Sequence, residues 1–309
     1  MPKINLNKKN LMKLIGKSFT DKELEEKIPM LGVDFESIEK DEIIVEVFPN
    51  RPDLLSDHGF ARAFKAFIGK DLTFKTYKIN NSKQRVIVDP KLNLIRPYTA
   101  CAIIKNLKLS NGDIVELMQL QEKLHITFCR NRKKASIGIY PLNKIKFPVY
   151  YKALQPEKIK FQPLEESKVL TAKEILQKTP KGKYYEHLLE NFNLYPCFID
   201  SNNNFLSLIP IINSELTGKV TEKTKEVFVE VSGTDLITIN QCLNIIVSNL
   251  AEMSGKIYSL NILYSNKKLT TPNLKPIEMK VKILNILIGF CIGGLITMVI
   301  YLLIQSQNL

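Results

Sequence analysis

Hydrophobic and polar residues alternate in the segment EVFVEVSGTD, residues 226–235. A period of two predicts a β-strand, because successive side chains of a strand point to opposite faces. The two faces differ in chemistry: Val227, Val229 and Val231 lie on one, and Phe228, Glu230 and Ser232 lie on the other. A carboxylate beside an aromatic ring and a hydroxyl suits a pocket that hydrogen-bonds a ligand OH or NH. The alternation by itself favours a simpler alternative, a glutamate that faces solvent.

The next segment changes to a helical period. Apolar residues recur every three or four positions and predict a helix from Asp235 to Met253. Thr234 and Asp235 are candidates for its N-terminal cap, and Gly255 follows its end. Because the strand runs directly into this helix, strand-end side chains and unbonded helix amides meet at one corner. Such a corner suits an anion or a polar ligand.

The N-terminal part, residues 1–80, combines strand and helix patterns and predicts a small α/β unit. TDKE (20–23) has the spacing of a capping box, and EIIVEVF (42–48) is typical of a strand. Ser56 and Asp57 can cap a further helix, and the polar residues 78–90 predict a linker.

Over residues 90–268, strand-like runs alternate irregularly with three or four helical runs. A doubly wound fold is disfavoured, because the sequence has no regular βαβ rhythm and no glycine-rich phosphate loop. We therefore predict the α+β class with three parts: a small N-terminal α/β domain over residues 1–80, a larger domain over 90–268 with helices packed on a mixed or antiparallel sheet, and a C-terminal apolar segment over 276–309.

The charge favours polyanionic partners. The formal net charge is +13 over 309 residues, and the isoelectric point is about 9.3, which suits nucleic acid or an anionic membrane. All but six of the 44 cations are lysine, a bias that an A/T-rich genome alone would also produce. Four cations form a basic run in LHITFCRNRKKASIGIY (124–140): Arg130, Arg132, Lys133 and Lys134. The basic run is a candidate nucleic-acid contact, and it also complements the dipole of a helix predicted from Asp113 to Arg130.

The cysteines favour a reduced protein. The five are far apart and form no C-x-x-C pair: Cys101, Cys129, Cys197, Cys242 and Cys291. This spacing disfavours a zinc site and a disulfide framework. The first residues, MPKINLNKKNLMKLIGKS, lack the pattern of a secretory signal, so we predict a cytoplasmic protein.

One segment near the C-terminus has the composition of a membrane span. ILNILIGFCIGGLITMVIYLLI, residues 283–304, contains no charged residue and is long enough to cross a bilayer as one helix. Lys280 and Lys282 would lie at its inner end. A membrane is a predicted partner only if this segment is a genuine span.

No catalytic residue can be assigned from the motifs. The histidines, His58, His125 and His187, have no partner at the spacing of a metal site or a catalytic triad, so structural roles are favoured. The patterns G-x-S-x-G, Walker loop and H-E-x-x-H are absent. Acid–base chemistry would then depend on a positioned water, and no metal ligands are identifiable.

Five segments carry a family resemblance: NRPDLLSDHGFAR (50–62), LQEKLHITFCRNRKKASIGIY (120–140), IKFQPL (159–164), YPCFIDSNNNFLSLIPIINSEL (195–216) and VFVEVSGTD (227–235). In this order they resemble the beta subunit of phenylalanine–tRNA ligase in its archaeal and eukaryotic form. The resemblance covers residues 1 to about 290.

The resemblance implies a beta subunit that pairs with a catalytic alpha subunit in a heterotetramer of two alpha and two beta chains. That enzyme would use ATP and Mg²⁺ to attach phenylalanine to its tRNA, and neither would be bound by residues identifiable in this chain. Residues 90–268 resemble the family's editing domain, which hydrolyses tyrosine wrongly attached to tRNA for phenylalanine.

The editing pocket is carried over by position from the family onto Phe198, Ser207, Glu230 and Ser232, with Gly233 and Thr234 completing the corner. Glu230 would accept a hydrogen bond from the tyrosyl hydroxyl and be left unpaired by phenylalanine. Amides around 233–235 would stabilise the developing oxyanion, and the basic run would hold phosphates of the tRNA acceptor end.

The chain departs from the family in two places. Tyr140 and Pro141 stand where the family usually has His-Asp after the SIGI strand, so weakened or altered editing is expected. Beta subunits also normally continue well beyond the length of this chain. Because residues 276–290 resemble the start of the family's next domain, a truncated or frame-shifted end is favoured over a membrane anchor.

Three functional hypotheses remain open. The first is a ligase subunit with editing esterase activity, and the second is a free-standing editing hydrolase of mischarged tRNA. The third is a truncated, non-catalytic relic that binds tRNA or is tethered to a membrane.

Overall fold

The computed structural model describes residues 2–73 and 75–274. Its helices are α1 (Lys8–Ile15), α2 (Asp21–Lys27), α3 (Asp57–Phe67), α4 (Asn111–Ile126), α5 (Ala172–Lys178), α6 (Pro180–Tyr185), α7 (Glu215–Gly218) and α8 (Leu236–Glu252). Its strands are β1 (Lys3–Asn7), β2 (Asp34–Glu39), β3 (Glu42–Glu46), β4 (Ile79–Val88), β5 (Tyr98–Lys105), β6 (Ala135–Pro141), β7 (Val149–Leu154), β8 (Lys160–Phe161), β9 (Leu170–Thr171), β10 (Tyr195–Ile199), β11 (Phe205–Leu208), β12 (Ile212–Asn213), β13 (Val227–Gly233), β14 (Lys256–Leu263) and β15 (Lys268–Thr271). Within these ranges, no helix is both long and apolar enough to cross a membrane. The predicted segments 276–309 and 283–304 lie outside the described residues.

The N-terminal strands form an antiparallel sheet in the order β1–β3–β2. The predicted capping box begins α2: the Glu23 N–H donates to Thr20 Oγ1, and the Thr20 N–H donates to the Glu23 carboxylate at 2.8 Å. Ser56 begins α3 by accepting a hydrogen bond from the Gly59 N–H at 3.1 Å. Both caps, predicted from local sequence, are confirmed, because each satisfies amides that a helix start leaves unbonded.

A mixed sheet of ten strands organises the larger part of the described chain. Its order is β12–β11–β10–β7–β4–β14–β5–β13–β6, and β15 pairs with β14. Strand β4 is parallel to β14 and β7, whereas the other neighbouring pairs are antiparallel. With helices packed on this sheet, the predicted α+β class is confirmed.

Strand β4 occupies residues that the polar composition assigned to a linker, so that prediction is wrong. Val86 and Val88 are buried at its C-terminal end. Its polar half bonds to the neighbouring strand β14, where the Ser82 hydroxyl donates to the Ser259 carbonyl at 2.7 Å. The polar residues therefore belong to the sheet. Their half of the strand is held by hydrogen bonds to the neighbouring strand and not by buried apolar side chains, so it lacks the usual alternation of a strand.

Two apolar clusters cover opposite faces of the large sheet. The valine cluster contains Val227, Val229 and Val231 of β13, together with α4 and α8, and continues into the N-terminal unit through Phe60. The aromatic cluster lies on the other face and includes Tyr140, Tyr151, Phe198 and Phe228. The described residues lie within one compact unit, and the domain limits 1–80 and 90–268 stay a prediction.

Helix α8 anchors the valine cluster and confirms the predicted helix. The Asp235 carboxylate caps it by accepting the N–H groups of Ile237 and Thr238, both at 3.1 Å. The predicted stripe is buried at Ile239, Leu243, Ile246, Val247 and Leu250. Because each such side chain contributes roughly 1.5–3 kcal/mol on burial, α8 holds β13 firmly in the sheet.

Candidate ligand pocket on the large sheet

The polar face of β13 is buried. Glu230 and Ser232 have 0% of their surface exposed, as does Phe228 on the same face. Strands β5 and β6 flank β13 on both sides, and the aromatic cluster covers the face. The alternative of a solvent-facing glutamate is therefore wrong. The register with β6 sets Phe228 opposite Tyr140, Glu230 opposite Gly138 and Ser232 opposite Ser136.

The hydroxyl of Tyr140 lies at the centre of the polar groups on this face. It is 2.9 Å from Ser207 Oγ, 3.2 Å from Glu230 Oε1 and 3.3 Å from Asn213 Oδ1. A tyrosine hydroxyl donates one hydrogen bond and can accept others, so a single group serves all these neighbours. The second carboxyl oxygen, Glu230 Oε2, is buried and has no hydrogen-bond partner among the described residues. One half of the carboxyl group is thus engaged and the other half is not.

Burial makes the Glu230 carboxyl a weak acid. It raises the pKa from 4.5 to about 8, because a charge is poorly solvated in the protein interior. The hydroxyls of Ser232 and Tyr140 and the positive charge of Arg96 offset only part of this effect on the pKa. Arg96 is itself buried and donates from Nη2 to the Ser232 carbonyl at 2.9 Å. At neutral pH the carboxyl therefore mostly keeps its proton and can donate as well as accept a hydrogen bond.

Phe198 and Ser207 come from the adjoining strands β10 and β11, where they are paired in register. The Phe198 ring stacks on Tyr151 with centroids 4.6 Å apart and planes at 7°. Ser207 reaches Glu230 only through Tyr140, whose hydroxyl lies near both side chains. The fold therefore gathers four predicted pocket residues, Phe198, Ser207, Glu230 and Ser232, around groups that sequence reasoning did not place there.

A cavity of about 650 Å³ lies beside this cluster. Its lining includes residues of α4, β6, α6, β12, β13 and the turn after β11, among them His125, Ser136, Asn213 and Glu230. The other predicted pocket residues, Phe198, Ser207, Ser232, Gly233 and Thr234, are not among its lining residues. Of the predicted pocket, which lies wholly in the described part of the chain, only Glu230 borders the open volume.

The corner between β13 and α8 is closed by backbone contacts. Gly233 approaches β6 so closely that a Cβ there would lie 2.8 Å from the Cα of Ala135. Thr234 is exposed, and its N–H donates to the Lys134 carbonyl at 2.9 Å. The Thr234 amide is thus already bonded in this conformation, so it is not a donor for an oxyanion. Asp235 caps α8 and pairs with Lys134 at 3.0 Å.

The basic run lies beyond α4, which ends at Ile126 rather than at the predicted Arg130. Positive φ angles at Arg130 (50°), Asn131 (50°) and Arg132 (63°) turn the chain sharply instead. The prediction that the basic run begins in the last turn of this helix is therefore wrong. After this turn, some cations of the basic run are exposed to solvent and others contact groups of the protein.

Arg132 and Lys134 are engaged within the protein. Arg132 is buried, and its Nη1 donates to the carbonyls of Pro210 and Ile211 at 3.0 and 2.9 Å. Its Nη2 also pairs with Glu122 at 3.3 Å, and Lys134 pairs with Asp235 as described above. The side chains of the other two members of the run, Arg130 and Lys133, are exposed.

Two of the three histidines are buried, and each bonds a specific partner. His58 Nδ1 lies 2.9 Å from the Glu116 carboxylate of α4, and Asp113 is close enough that ligand atoms of all three lie within 4.8 Å of one another. His125 Nε2 accepts the Ile137 N–H at 2.8 Å, and burial lowers the pKa of His125 to about 4. His125 is therefore neutral at pH 7. His187 is exposed.

Sequence reasoning connected Tyr140 with altered editing but did not predict that Tyr140, Asn213 and Arg96 lie near Glu230. A signal was present for Tyr140, because a period of two through SIGIY places it on the same face as Ser136 and Gly138. No comparable signal marks Arg96, which lies in the turn before β5.

Comparison with known proteins gives matches over nearly the whole chain. A family model described as the Phe-tRNA synthetase beta subunit B1 domain matches residues 1–70. The phenylalanine–tRNA ligase beta subunit of Pyrococcus horikoshii is 40% identical over 288 residues, which are 92% of this chain and 52% of that protein. The corresponding subunit of Methanococcus aeolicus is 42% identical over 287 residues, which are 92% of this chain and 51% of that protein.

A solved structure has the same fold. The crystal structure of an N-terminal fragment of the phenylalanyl-tRNA synthetase beta subunit from Pyrococcus horikoshii matches with a TM-score of 0.86 and 40% identity. The match covers 89% of this chain and 80% of that fragment.

The sequence matches and the structural match are all to subunits of one class of enzyme, the aminoacyl-tRNA synthetases. More specifically, the chain belongs to the phenylalanine–tRNA ligase beta subunit family, which confirms the resemblance found in its residues. It spans about half the length of the beta subunits it matches, 52% and 51% for the two named above.

Proposed function

We propose that this chain acts in the cytoplasm as the N-terminal portion of a phenylalanine–tRNA ligase beta subunit. In that role it joins an alpha subunit, in a heterotetramer of two alpha and two beta chains, and supports attachment of phenylalanine to its tRNA. Family membership supports this role. ATP and Mg²⁺ are assigned to the alpha subunit, because the sequence offers no recognisable nucleotide-binding motif.

We further propose that the large-sheet module hydrolyses tyrosine from mischarged tRNA. The observation that carries this proposal is the Glu230 carboxyl, which borders a cavity of about 650 Å³ while one of its buried oxygens has no hydrogen-bond partner within residues 2–73 and 75–274. An unpaired buried polar atom is costly, so a ligand that supplies the missing hydrogen bond is favoured there.

Such a site discriminates between the two relevant amino acids. Tyrosine differs from phenylalanine by one hydroxyl, and a synthetic pocket that fits phenylalanine rejects the extra group only modestly. Here the hydroxyl would pair with Glu230, whereas phenylalanine would leave the carboxyl unmatched. A penalty of about 1–3 kcal/mol for the unmatched group corresponds to roughly a tenfold to hundredfold preference for tyrosine.

Hydrolysis of the ester would use a positioned water rather than a protein nucleophile. His125 borders the cavity, but its Nε2 already accepts the Ile137 N–H, so this nitrogen cannot take a proton from water. Glu230 mostly keeps its proton at neutral pH, which suits hydroxyl recognition better than proton abstraction. We therefore assign Glu230 to recognition and assign no residue as the base.

The tRNA would be held by the exposed members of the basic run. Arg130 and Lys133 can reach phosphates without breaking an internal contact, whereas Arg132 is buried against two backbone carbonyls. Phosphate contacts position a nucleic acid and weaken as salt rises. The Arg130→Ala, Lys133→Ala double variant should therefore weaken tRNA binding and reduce its salt dependence.

The editing proposal is tested by deacylation. The full chain is incubated with tyrosyl-tRNA and phenylalanyl-tRNA for phenylalanine, and release of each amino acid is followed against a protein-free blank. Wild type should release tyrosine faster than the blank and faster than phenylalanine. Glu230→Gln should lower tyrosine release about tenfold or more, because the carboxyl group recognises the hydroxyl.

The matched control is Glu222→Gln, which changes an exposed glutamate near the same strand and should leave release unchanged. If wild type, Glu230→Gln and the blank release tyrosine at the same rate, the proposed editing activity is wrong. Addition of the alpha subunit then tests the ligase role independently, since aminoacylation does not require the editing pocket.

One observation favours a second candidate, a non-catalytic chain that binds tRNA. The Tyr140 hydroxyl lies 2.9 Å from Ser207 Oγ and 3.2 Å from Glu230 Oε1. A tyrosyl substrate would need these same two groups, so Tyr140 competes with it for them. Salt-dependent tRNA binding without tyrosine release would favour this candidate.

A further inference from the structure

Tyr140 is held in the interior by both ends of its side chain. It has 0% of its surface exposed, and its ring packs against Phe228 with centroids 6.0 Å apart and planes at 29°. Its hydroxyl lies 2.9 Å from Ser207 Oγ, 3.2 Å from Glu230 Oε1 and 3.3 Å from Asn213 Oδ1. The hydroxyl at the end of the ring is thus surrounded by three hydrogen-bonding groups.

A glycine in the same strand, β6, leaves room for the ring. Gly138 stands on the same face of β6, and a Cβ at this position would lie 2.7 Å from Tyr140 Cζ and 2.6 Å from Glu230 Oε1. Any larger residue at 138 would therefore push the ring or the carboxyl away. Glycine makes the space that the phenol group of Tyr140 fills.

The hydroxyl of Tyr140 contacts both cavity-lining residues and a predicted pocket residue that does not line the cavity. Ser207 and Phe198 do not line the cavity, whereas Glu230 and Asn213 do. Tyr140 touches members of both sets, because its hydroxyl bonds to Ser207 on one side and to Glu230 and Asn213 on the other. Its hydroxyl therefore links residues that line the cavity to one that does not, while Tyr140 itself is not among the lining residues.

We infer that Tyr140 occupies the p-hydroxyphenyl subsite of the editing pocket and is a specificity-determining residue that competes with a tyrosyl group for this volume. This inference rests on the proposed editing function for its biological meaning. The physical reason is that the Tyr140 side chain and a tyrosyl side chain cannot both fill the same volume and hydrogen-bond the same groups, Ser207 and Glu230. A tyrosyl group reaches Ser207 only when Tyr140 is displaced or removed.

The first test measures the subsite directly with p-cresol, the side chain of tyrosine as a free molecule. Calorimetry on the full chain should detect p-cresol binding to Tyr140→Gly and none to wild type. Toluene, which lacks the hydroxyl, should bind Tyr140→Gly about tenfold more weakly, as one net hydrogen bond predicts. Ser207→Ala added to Tyr140→Gly should remove most of this preference for p-cresol over toluene.

Tyr140→Phe is the matched control. It keeps the ring and loses only the hydroxyl, so the volume stays filled and p-cresol should not bind. If Tyr140→Gly is unfolded, p-cresol in the refolding buffer should restore its native circular dichroism, since a ligand that binds only the folded state stabilises it. Equal effects of p-cresol and toluene, in binding or in rescue, would overturn the inference.

The second test uses deacylation of tyrosyl-tRNA by the same variants. Tyr140→Gly should release tyrosine about tenfold faster than wild type, whereas the exposed control Glu222→Gln should match wild type. Equal release by wild type and Tyr140→Gly, with both rates dependent on Glu230, overturns the inference and leaves the editing function standing. Hydroxyl-selective p-cresol binding without release by any variant leaves the inference standing and removes the editing function.

Discussion

The two faces of strand β13 are both buried, but they are built differently. On one face, Val227, Val229 and Val231 pack into an apolar cluster with α4 and α8. On the other, Glu230 and Ser232 lie beside aromatic rings and share hydrogen bonds with Tyr140 and Ser136 of the neighbouring strand β6. Because side chains alternate along the strand, one face of β13 packs in an apolar interior and the other in a polar one.

The two faces of β13 differ in what stabilises them. The valine face needs only matched volume, since dispersion and burial do not depend on where a particular proton lies. The polar face needs specific partners, because a buried donor or acceptor without one is costly. It is therefore the face to which we assign the proposed ligand recognition, and we expect its stability to depend on pH.

The largest expected effect comes from removing the titrating group of the polar face. The folded-state pKa of Glu230, about 8, lies above its ordinary value of 4.5, so the folded protein holds a proton that the unfolded chain has released between these values. This contribution to stability is complete below about pH 4.5 and is lost as pH rises through 8. The total loss is on the order of 5 kcal/mol.

Glu230→Gln should lack this loss. Urea unfolding of wild type and variant at pH 5, 7 and 9 measures the difference, which should grow with pH in favour of the variant. The neighbouring Tyr140 hydroxyl and Cys101 thiol keep their protons, because burial raises both pKa values well above their usual ones. Glu222→Gln serves as the exposed control, and parallel pH profiles for wild type and Glu230→Gln would contradict the assignment.

An intermediate effect is expected on the valine face. Val229→Ala removes two methyl groups from a fully buried position and leaves a cavity. The free energy of unfolding should fall by about 2–3 kcal/mol, and the loss should be the same at pH 5 and pH 9. Denaturant titration at both pH values measures it.

The control for this change is Val115→Ala on α4, where the side chain is 47% exposed and little stability should be lost. A pH-dependent cost at Val229 would show that the two faces of β13 are coupled.

The smallest expected effect is the loss of one hydroxyl from the polar face. Tyr140→Phe keeps the ring against Phe228 but removes the hydrogen bonds to Ser207, Asn213 and Glu230. Stability at neutral pH should fall by about 1–2 kcal/mol, because the remaining groups can partly rearrange. Thermal unfolding measures the change; Tyr184→Phe, on an exposed tyrosine, should cost nothing. A cost at Tyr140 no larger than at Tyr184 would show that the polar network is not stabilising.

Several elements could be predicted from local sequence because their causes are local. The capping box at Thr20 and the cap at Ser56 each involve residues three positions apart. The alternation in β13 and the stripe in α8 also repeat within a few residues. Polar β4 was mistaken for a linker, because its hydrogen bonds go to Ser259, 177 positions away from Ser82.

The candidate pocket shows the same limit. The family resemblance placed Ser207 and Glu230 in one pocket, and the structure brings them together, but it does so around Tyr140 and away from the open cavity. The basic run was predicted as one group of cations. Arg132 is instead buried, because the left-handed turn after α4 directs it to carbonyls of the segment after β11.

The amino-acid sequence by itself determined the family, the α+β class, the two faces of β13 and the helix caps, since these depend on short-range periodicity or on whole segments of similarity. Only the tertiary structure decided that Glu230 is buried and that Tyr140 fills its surroundings. The physical reason is that burial depends on which distant segments pack together: Ser207, Asn213 and Glu230 lie 67, 73 and 90 positions from Tyr140.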